Sequence, residues 1–301
     1  MGFAELRAQA RSGAPKGLAV AWAADPVVIH ACRRALEEGL VGHIVATGPE
    51  AAIKAAAETA GVDITGWNIV SAEHPAAGAQ RAVEAVKSGE CAILMKGKLN
   101  TADLLRAVLH KELGLRGSGL LSHIAVIELP SGRLAALTDG AMNIRPDLEQ
   151  KVAIVENAIN FCWSIGITKP KVALLAAVET VNPKMPETVD AAAITQMAAR
   201  GQFSREAVVD GPLAFDNAYS KEAAERKGIS SPVAGEADVF VVPEITAGNI
   251  LYKAFTYAAG FRTAGIVVGA QCPIVLTSRA DGEESKLNSI ALAASAAQMK
   301  A

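Results

Sequence analysis

The stretch PIVLTSRADGEESKLNSIALAASAAQ (273–298) begins as an apolar strand, stops at Thr277, Ser278 and Arg279, and resumes after an acidic segment as an alanine-rich helix. A buried strand that leads directly into a helix is the repeating unit of α/β proteins. In open α/β sheets, ligands bind beyond the carboxyl ends of the strands. The stretch therefore predicts an α/β fold, and it places a hydroxyl and a guanidinium together where a ligand would bind.

The rest of the chain repeats this alternation of short apolar runs and longer segments with helical periodicity. Most runs are apolar throughout, as strands covered on both faces are. The predicted strands are GLAVAWA (17–23), HIVATG (43–48), NIVSA (68–72), CAILMKG (91–97), HIAVIEL (123–129), RLAALTD (133–139), KVALLAA (171–177), EAVVDG (206–211), DVFVVPE (238–244), AGIVVGA (264–270) and PIVLTS (273–278). A Pro-Ser-Gly turn joins the runs at 123–129 and 133–139, which predicts a β-hairpin.

Two helix starts are also predicted. Asp25 and Pro26 combine an N-cap residue with a proline in the first turn. Thr101 is expected to cap the helix ADLLRAVLHKEL (102–113).

The composition narrows the class of protein. The 301 residues are 51% hydrophobic and 4% aromatic, so we expect a core of Ala, Val, Ile and Leu. The formal net charge is −2 and no basic stripe is present, which argues against nucleic acid or an anionic membrane as a partner. The four cysteines (32, 91, 162 and 272) form no CxxC pair and no Cys/His cluster. We therefore expect reduced core thiols and no bound metal.

The N-terminal stretch MGFAELRAQARSGAPKG (1–17) is polar and lacks the apolar core of a signal peptide. No segment reaches the roughly 18 apolar residues that a membrane span needs. We therefore expect a cytoplasmic protein.

Polar residues follow five of the predicted strands. Their segments are Lys96-Gly97-Lys98-Leu99-Asn100-Thr101, Thr138-Asp139-Gly140-Ala141-Met142-Asn143, Asp210-Gly211, Gly248-Asn249 and Thr277-Ser278-Arg279. Each segment alone has a structural interpretation, because Asp-Gly pairs are common turns and Ser or Thr residues cap helices. Together they place cationic side chains, hydroxyls and backbone N–H groups at strand ends, which suits an anionic ligand.

Other motifs are absent or weak. Neither GxGxxG nor GxxxxGK[ST] occurs, so neither a dinucleotide-binding loop nor a P-loop is indicated. Ser122 and His123 are adjacent, but neighbouring strand residues face opposite sides, so a Ser/His dyad is not expected. His123 alone remains a candidate for a ligand cleft.

At these strand ends the sequence resembles the phosphate acetyltransferase and phosphate butyryltransferase family, and more closely the butyryltransferase branch. The segments that carry the resemblance are MKGKLNTADLLRAVL (95–109), LTDGAMNIRPDLEQK (137–151), VVDGPLAFDNA (208–218), SPVAGEADVFVVPEITAGNILYK (231–253) and PIVLTSRADG (273–282). The segment at 231–253 is the most specific.

The resemblance implies a two-domain α/β fold, a three-layer sandwich of the isocitrate/isopropylmalate dehydrogenase type with an interdomain cleft. We expect domain I to comprise residues 1–125 and 268–301 and to carry Ser278 and Arg279. Domain II is expected to comprise residues 126–267, including the hairpin. The apolar hairpin and the Ala-rich helices suggest a homodimer or a higher homo-oligomer.

The resemblance also implies the reaction acyl-CoA + phosphate = acyl phosphate + CoA, with a short acyl group such as acetyl or butyryl. Acyl-CoA, CoA and phosphate are then substrates, and no permanently bound cofactor or metal is expected. Ser278 and Arg279 are the expected catalytic residues: Arg279 clamps phosphate and Ser278 donates to a developing oxyanion. The expected substrate-binding residues are Lys96, Gly97, Asn100, Thr101, His123, Asp139, Asn143, Asp210, Gly248 and Asn249.

The base that deprotonates CoA is not assigned by the sequence. Ser285 stands where the acetyltransferase branch carries an aspartate, and Asp281, Glu283 or Glu284 are substitutes only after a small shift. Two alternatives remain open: a metal- and NAD-dependent hydroxyacid decarboxylating dehydrogenase, and a non-enzymatic small-molecule binding protein.

Overall fold

A computed structural model describes residues 1–117, 119–278 and 281–298 of the chain. The chain divides into two compact units. Unit 1 comprises Phe3–Gly119 and the segment that starts at Ala264, and unit 2 comprises Leu120–Thr263. The sequence analysis predicted domain boundaries at 125/126 and 267/268. That the two domains fold independently stays a prediction.

Unit 1 alternates helices and strands, as the sequence predicted. Its elements are α1 (Phe3–Ser12), β1 (Lys16–Ala21), α2 (Pro26–Glu37), β2 (Val41–Gly48), α3 (Glu50–Ala60), β3 (Asn68–Ser71), α4 (Pro75–Lys87), β4 (Ile93–Lys96), α5 (Thr101–Val108), β10 (Thr263–Val268), β11 (Ile274–Val275) and α11 (Glu283–Gln298). The strand order is β3-β2-β1-β4-β11-β10. Every neighbouring pair is parallel except β10 and β11, which are antiparallel.

Helix α11, at the end of the stretch 273–298, is the most buried helix of unit 1. Every residue of α11 from Lys286 to Ala297 is buried, which is typical of a helix enclosed on all sides. It packs against α1, α2 and β11. Small alanine side chains allow this close approach, so the Ala-rich pattern is explained by packing.

Of the two predicted helix starts, one is confirmed and the other is wrong in detail. Asp25 caps α2 by accepting hydrogen bonds from the backbone N–H groups of Val27 and Val28, and Pro26 opens the helix, as predicted. The prediction for α5 was wrong in detail. Thr101 is its first residue rather than its cap, Asn100 is the N-cap, and the helix ends at Val108.

Unit 2 contains the predicted hairpin and a further set of α/β elements. They are β5 (Ser122–Glu128), β6 (Leu134–Thr138), α6 (Leu148–Ser164), β7 (Lys171–Leu175), α7 (Pro186–Ala199), β8 (Val208–Leu213), α8 (Phe215–Tyr219), α9 (Lys221–Arg226), β9 (Val239–Val241), α10 (Ile245–Lys253) and a π-helical turn (Ala254–Ala258). The strand order is β5-β6-β9-β7-β8, with β5 and β6 antiparallel and the other pairs parallel.

The core of unit 2 differs from the prediction of a purely aliphatic core. Phe215 lies against Phe240 and Phe255, with ring centroids 5.5 and 5.7 Å apart, and Phe255 stacks on Phe261. The chain's few aromatic residues are concentrated here. An average over the whole composition does not reveal such a local cluster.

The cysteines are buried free thiols in the structure. Burial raises the pKa of the Cys32 thiol to about 12. These thiols therefore pack as small apolar side chains.

Two expectations need correction. The isocitrate/isopropylmalate dehydrogenase-type assignment was wrong, and only the mixed α/β class is retained, because alternating strands and helices define the layers but not the superfamily that arranges them. The hairpin was also a poor basis for an oligomer interface. Nearly all residues of β5 and β6 are buried within the chain itself, so they offer no free partner surface.

No helix in the described part of the chain is both long enough and apolar enough to cross a membrane.

Candidate active site

Unit 1 contains a pocket of about 400 Å³ at the carboxyl ends of β4 and β11. Its lining residues are Asp25, Val27, Val28, Pro75, Lys96, Gly97, Lys98, Leu99, Asn100, Asp103, Thr277, Ser278 and Lys286. The pocket brings together four of the predicted site residues: Lys96, Gly97, Asn100 and Ser278. Thr101 is not among its lining residues, and Arg279 lies outside the described residues.

Strand pairing explains why these residues meet. Strand β11 runs parallel to β4, with Ile274 opposite Leu94 and Val275 opposite Met95. The residues that follow the two strands are therefore delivered to the same edge of the sheet. Lys96, the last residue of β4, is only 7% exposed although it carries an amine.

Gly97 has a structural reason to be glycine. Its N–H donates to the carbonyl oxygen of Ala21 at 2.8 Å, and the N–H of Lys98 donates to that of Trp22 at 2.8 Å. A Cβ on Gly97 would overlap both of these carbonyl oxygens. The close approach of two backbones therefore fixes the path of the chain after Lys96.

A short turn holds Ser278 at the pocket. Its backbone N–H donates to Oδ2 of Asp281 at 2.7 Å, and the N–H of Asp281 donates to the carbonyl oxygen of Ser278 at 3.2 Å. The Nζ of Lys286 donates to the carbonyl oxygen of Asp281 at 2.7 Å. These contacts fix the backbone of Ser278 at the edge of the pocket.

The charges that line the pocket are three lysines, Lys96, Lys98 and Lys286, and two aspartates. Oδ1 of Asp25 is already engaged with the start of α2. Asp103 forms an ion pair with Arg106 at 2.9 Å. The lining is therefore suited to an anionic ligand.

The structure accounts for the acidic residues that follow the turn. Glu283 pairs with Arg34 at 2.6 Å and with Nδ1 of His30 at 2.9 Å, while Glu284 pairs with Arg34 at 3.2 Å and with Arg7. Neither glutamate lines the pocket. They join α11 to α1 and α2, so the structure gives them a role in packing.

Ser285 and Asp281 are equally poor candidates for a base. The hydroxyl of Ser285 is buried without a hydrogen-bond partner, and the residue does not line the pocket. Asp281 is 8% exposed, and one of its carboxylate oxygens closes the Ser278 turn.

Unit 2 holds a second group of predicted site residues around Asp139, which follows β6 and is 3% exposed. Its carboxylate accepts hydrogen bonds from the backbone N–H groups of His123, Ala141, Met142 and Asn143 at 2.9 to 3.3 Å. The Nδ2 of Asn143 donates to it at 2.6 Å. Asp139 is thus the centre of a hydrogen-bonded loop.

Helix α10, which follows β9, packs on this loop. The Nδ2 of Asn249 donates to the carbonyl oxygen of Gly140 at 3.2 Å. A Cβ on Gly248 would lie 2.7 Å from Cα of Gly140, so neither glycine can be replaced without a shift of backbone. The structure therefore brings Asp139, Asn143, His123, Gly248 and Asn249 together.

Asp210 is not part of this group. It lies within β8, two strands from β9 in the sheet order, and its Oδ1 accepts from the N–H of Gly211 at 2.9 Å. Ser122 accepts a hydrogen bond from Nδ2 of Asn157 at 3.0 Å. This contact to α6 leaves no indication of a Ser/His dyad.

The sequence reasoning missed three polar residues of the unit 1 pocket: Asp25, Asp103 and Lys286. Asp25 was recognised only as a helix cap. Lys286 follows Glu283, Glu284 and Ser285 in the sequence, where a lysine is ordinary, and its burial is visible only in the structure.

Comparisons with known proteins agree on one family. The family model described as phosphate acetyl/butaryl transferase matches residues 77–294. The phosphate butyryltransferase of Clostridium acetobutylicum is 46% identical over 97% of this chain and 97% of its own length. The phosphate acetyltransferase of Thermotoga maritima is 44% identical over 97% of this chain and 99% of its own.

A solved structure extends this agreement to the fold. The branched-chain phosphotransacylase from Enterococcus faecalis V583 superposes with a TM-score of 0.83 at 37% identity, covering 94% of this chain and 99% of that one. This finding overturns the dehydrogenase-type assignment, because the observed arrangement is that of a phosphotransacylase.

Proposed function

This chain belongs to the phosphate acetyl/butaryl transferase family, and from this premise we propose that the unit 1 pocket is where phosphate and the thioester react. The protein is a phosphate acyltransferase, an enzyme whose substrates are CoA and phosphate compounds. The relatives are transferases, so a metal- and NAD-dependent dehydrogenase or a non-enzymatic binding protein is not favoured.

The observation that carries the proposal is the convergence of Lys96 and Ser278 at one pocket through the pairing of β4 with β11. A buried lysine and a serine hydroxyl at one pocket provide a cation for phosphate and a donor for the thioester oxygen. Lys98 adds a second cation at the same edge.

The reaction proceeds by direct attack in a ternary complex. A phosphate oxygen attacks the thioester carbonyl carbon, the carbon–sulfur bond breaks, and the thiolate of CoA leaves and takes up a proton. No acyl group is passed to the protein when both substrates are held in attacking geometry.

Ser278 is proposed to donate a hydrogen bond to the carbonyl oxygen as negative charge develops on it. In other acyl-transfer sites, such a donor contributes about 3 kcal/mol of transition-state stabilisation. Arg279, placed by the family resemblance alone, is proposed to hold phosphate through a bidentate contact.

The anionic substrate is held by Lys96 and by the backbone around Asn100 and Thr101. Helix α5 begins at Thr101, and the first N–H groups of a helix attract anions. Gly97 contributes by keeping this backbone in place.

Substrate contact by the unit 2 residues stays a prediction. The described side-chain contacts of Asp139 are to its own loop and to His123 in β5, and Asn143 contacts Asp139 and the carbonyl oxygen of Leu121. The side chain of Asn249 contacts Gly140, and that of Asp210 accepts from the N–H of Gly211. A permanently bound cofactor is not proposed, and a cytoplasmic location and a homo-oligomer stay predictions.

The acyl group is proposed to be short. Relatives named for butyrate and for acetate are 46% and 44% identical to this chain. Such similar identities do not separate the two branches, and the closer likeness to the butyryltransferase branch stays a prediction.

The test is release of free thiol from acetyl-CoA and from butyryl-CoA, each with and without inorganic phosphate. We expect phosphate-dependent release, and the ratio of the two rates identifies the branch. Release that is independent of phosphate would indicate a thioesterase, and no release from any short acyl-CoA would contradict the proposed function.

A further inference from the structure

The reaction needs a proton carrier that none of the predicted site residues supplies, and the inference here rests on the proposed function. An ordinary thiol has a pKa near 8.5, so CoA is mostly protonated at neutral pH. To attack an acyl phosphate it must lose that proton, and in the reverse direction the departing thiolate must regain one. A positioned side chain that exchanges this proton accelerates such a step by roughly 10²- to 10⁴-fold.

The carboxylates of the pocket are unsuited to this exchange. Asp25 is engaged with the start of α2, and Asp103 is paired with Arg106. The described lining contains no histidine and no cysteine.

Lys286 has the required position. Its side chain reaches the pocket from the first turns of α11, yet the residue is only 5% exposed. Its amine is connected to the Ser278 turn through Asp281: Nζ donates to the carbonyl oxygen of Asp281, whose carboxylate accepts from the N–H of Ser278. An amine has several bonding positions, and this contact uses one of them.

The environment of Lys286 also favours the neutral amine. Burial lowers its pKa, while the negative charges of Asp281 and Asp25 act in the opposite direction, and the net shift is downward. An ordinary lysine has a pKa near 10.4, so a decrease brings it toward that of a thiol. The other charged groups that line the pocket are Lys96, Lys98 and Asp103.

We propose that the side-chain amine of Lys286 exchanges the proton with the sulfur of CoA. In the direction of thioester synthesis, the neutral amine takes the thiol proton and becomes an ammonium. The thiolate then attacks the acyl phosphate and phosphate leaves. In the opposite direction, the ammonium returns the proton to the thiolate as the carbon–sulfur bond breaks. In the first direction the departing phosphate takes the proton from the ammonium, and in the second the attacking phosphate supplies it to the amine, so atoms and charges balance without any further reactant.

The first test is Lys286→Gln, assayed for thioester formation from CoA and acyl phosphate. Glutamine can still donate to the carbonyl oxygen of Asp281 but cannot take a proton. We expect a native melting temperature and a fall in kcat of about 10²-fold or more. Near-normal turnover in a folded Lys286→Gln protein would overturn the proposal.

The second test separates proton transfer from positioning. Lys286→Ala is assayed with added primary amines of graded pKa, such as methylamine and trifluoroethylamine. We expect the amines to restore turnover to an extent that depends on their pKa. Turnover that is restored equally by amines of different pKa, or that is not restored in a folded variant, would overturn the proposal. Lys286 would then only support the turn.

The pH dependence gives an independent readout. In wild type, kcat/KM for CoA should rise with pH as Lys286 loses its proton, whereas in Lys286→Gln the rise should follow only the ionisation of the CoA thiol, whose ordinary pKa is near 8.5. An unchanged pH profile in the variant would count against the proposal.

Three controls complete the design. Lys151, which is 9% exposed and pairs with Asp190, is a buried lysine outside the pocket lining, so Lys151→Ala should retain turnover. Lys96→Ala should lose turnover, and added amines should not restore it in a way that depends on their pKa. A pKa-dependent restoration in this variant would assign the proton transfer to Lys96. Wild-type protein is assayed first: its inactivity would contradict the proposed function, whereas an active wild type with an active Lys286→Gln would contradict only the role of Lys286.

Discussion

At the scale of single residues, Ser278 shows how the end of a strand places a side chain at a pocket. Its backbone is tied to Asp281 on both sides of the turn, and the residue itself is exposed. The turn thereby holds the residue at the edge of the pocket. The sequence alone predicted that this residue would lie at a pocket, because an apolar run ends there at a serine followed by an arginine.

Ser278→Ala is expected to lower kcat by about 10²- to 10³-fold, since it removes one donor to the developing oxyanion. Arg279→Ala is expected to abolish measurable turnover. Because the Ser278 side chain is exposed, its removal should leave the melting temperature unchanged. The measurement is phosphate-dependent thiol release beside thermal unfolding.

Matched substitutions serve as controls: Ser131→Ala in the hairpin turn and Arg81→Ala, an exposed partner of Glu84. Full activity in folded Ser278→Ala and Arg279→Ala proteins would show that the reacting groups lie elsewhere.

Asp139 leads to a different prediction, because its carboxylate is surrounded by donors of its own loop. Asp139→Ala leaves the buried N–H of His123 and three partly buried N–H groups without an acceptor, and a buried group without a partner costs about 1 to 3 kcal/mol. We expect the free energy of unfolding to fall by at least about 3 kcal/mol, measured by urea denaturation. Asp63→Ala, which removes an exposed acceptor for the N–H of Thr65, should have little effect. A stable Asp139→Ala protein with lost turnover would instead indicate direct contact with substrate.

At the scale of elements, an ionic cluster joins the amino end of α11 to helices α1 and α2. Burial raises the pKa of Glu284, but its contacts with Arg7 and Arg34 outweigh this effect and lower it below the ordinary value. A carboxyl group with a lowered pKa stabilises the fold above its unfolded pKa, near 4.3, and this contribution is lost as the pH falls through the folded pKa.

Glu284→Gln should therefore cost stability at pH 7, by less than about 1 kcal/mol because the side chain is partly exposed. The difference from wild type should shrink as the pH falls from 5 toward 3. Urea unfolding across this pH range checks it, with the exposed Glu58→Gln as a control. A difference that stays constant over the range would contradict the assigned ion pairs.

The elements were predictable to the extent that local patterns determine them. The predicted strands and the hairpin turn are confirmed, because apolar runs bounded by Gly, Pro and Asp are short-range signals. The end of α5 was not predictable: His110, Lys111 and Glu112 continue the helical pattern but lie in a turn beyond Val108. Lys286 was missed because its importance depends on burial against β11 and α2, which no local pattern reports.

At the scale of the whole molecule, the oligomeric state stays a prediction. It now rests on exposed apolar side chains of unit 2 instead of the hairpin. The hairpin strands are buried, while unit 2 exposes Ile144, Ile250 and Tyr257 at 73%, 64% and 62%. Ile250 and Tyr257 belong to α10 and the π-helical turn. Large apolar side chains at this exposure are suited to contact with a second copy of the chain.

Light scattering at micromolar concentration should therefore detect a species of at least twice 31.1 kDa. Ile250→Asp combined with Tyr257→Ser should shift it toward the monomer, while Leu113→Asp in unit 1 should not. A wild-type protein that scatters only as 31.1 kDa would contradict this prediction.

The central claim is that the unit 1 pocket holds the reacting groups, and a crystal structure of the protein with bound CoA tests it most directly. We predict that the sulfur of CoA lies in the pocket lined by Lys96, Ser278 and Lys286, within reach of the Lys286 amine. A CoA whose sulfur lies away from all three of these residues would contradict the account.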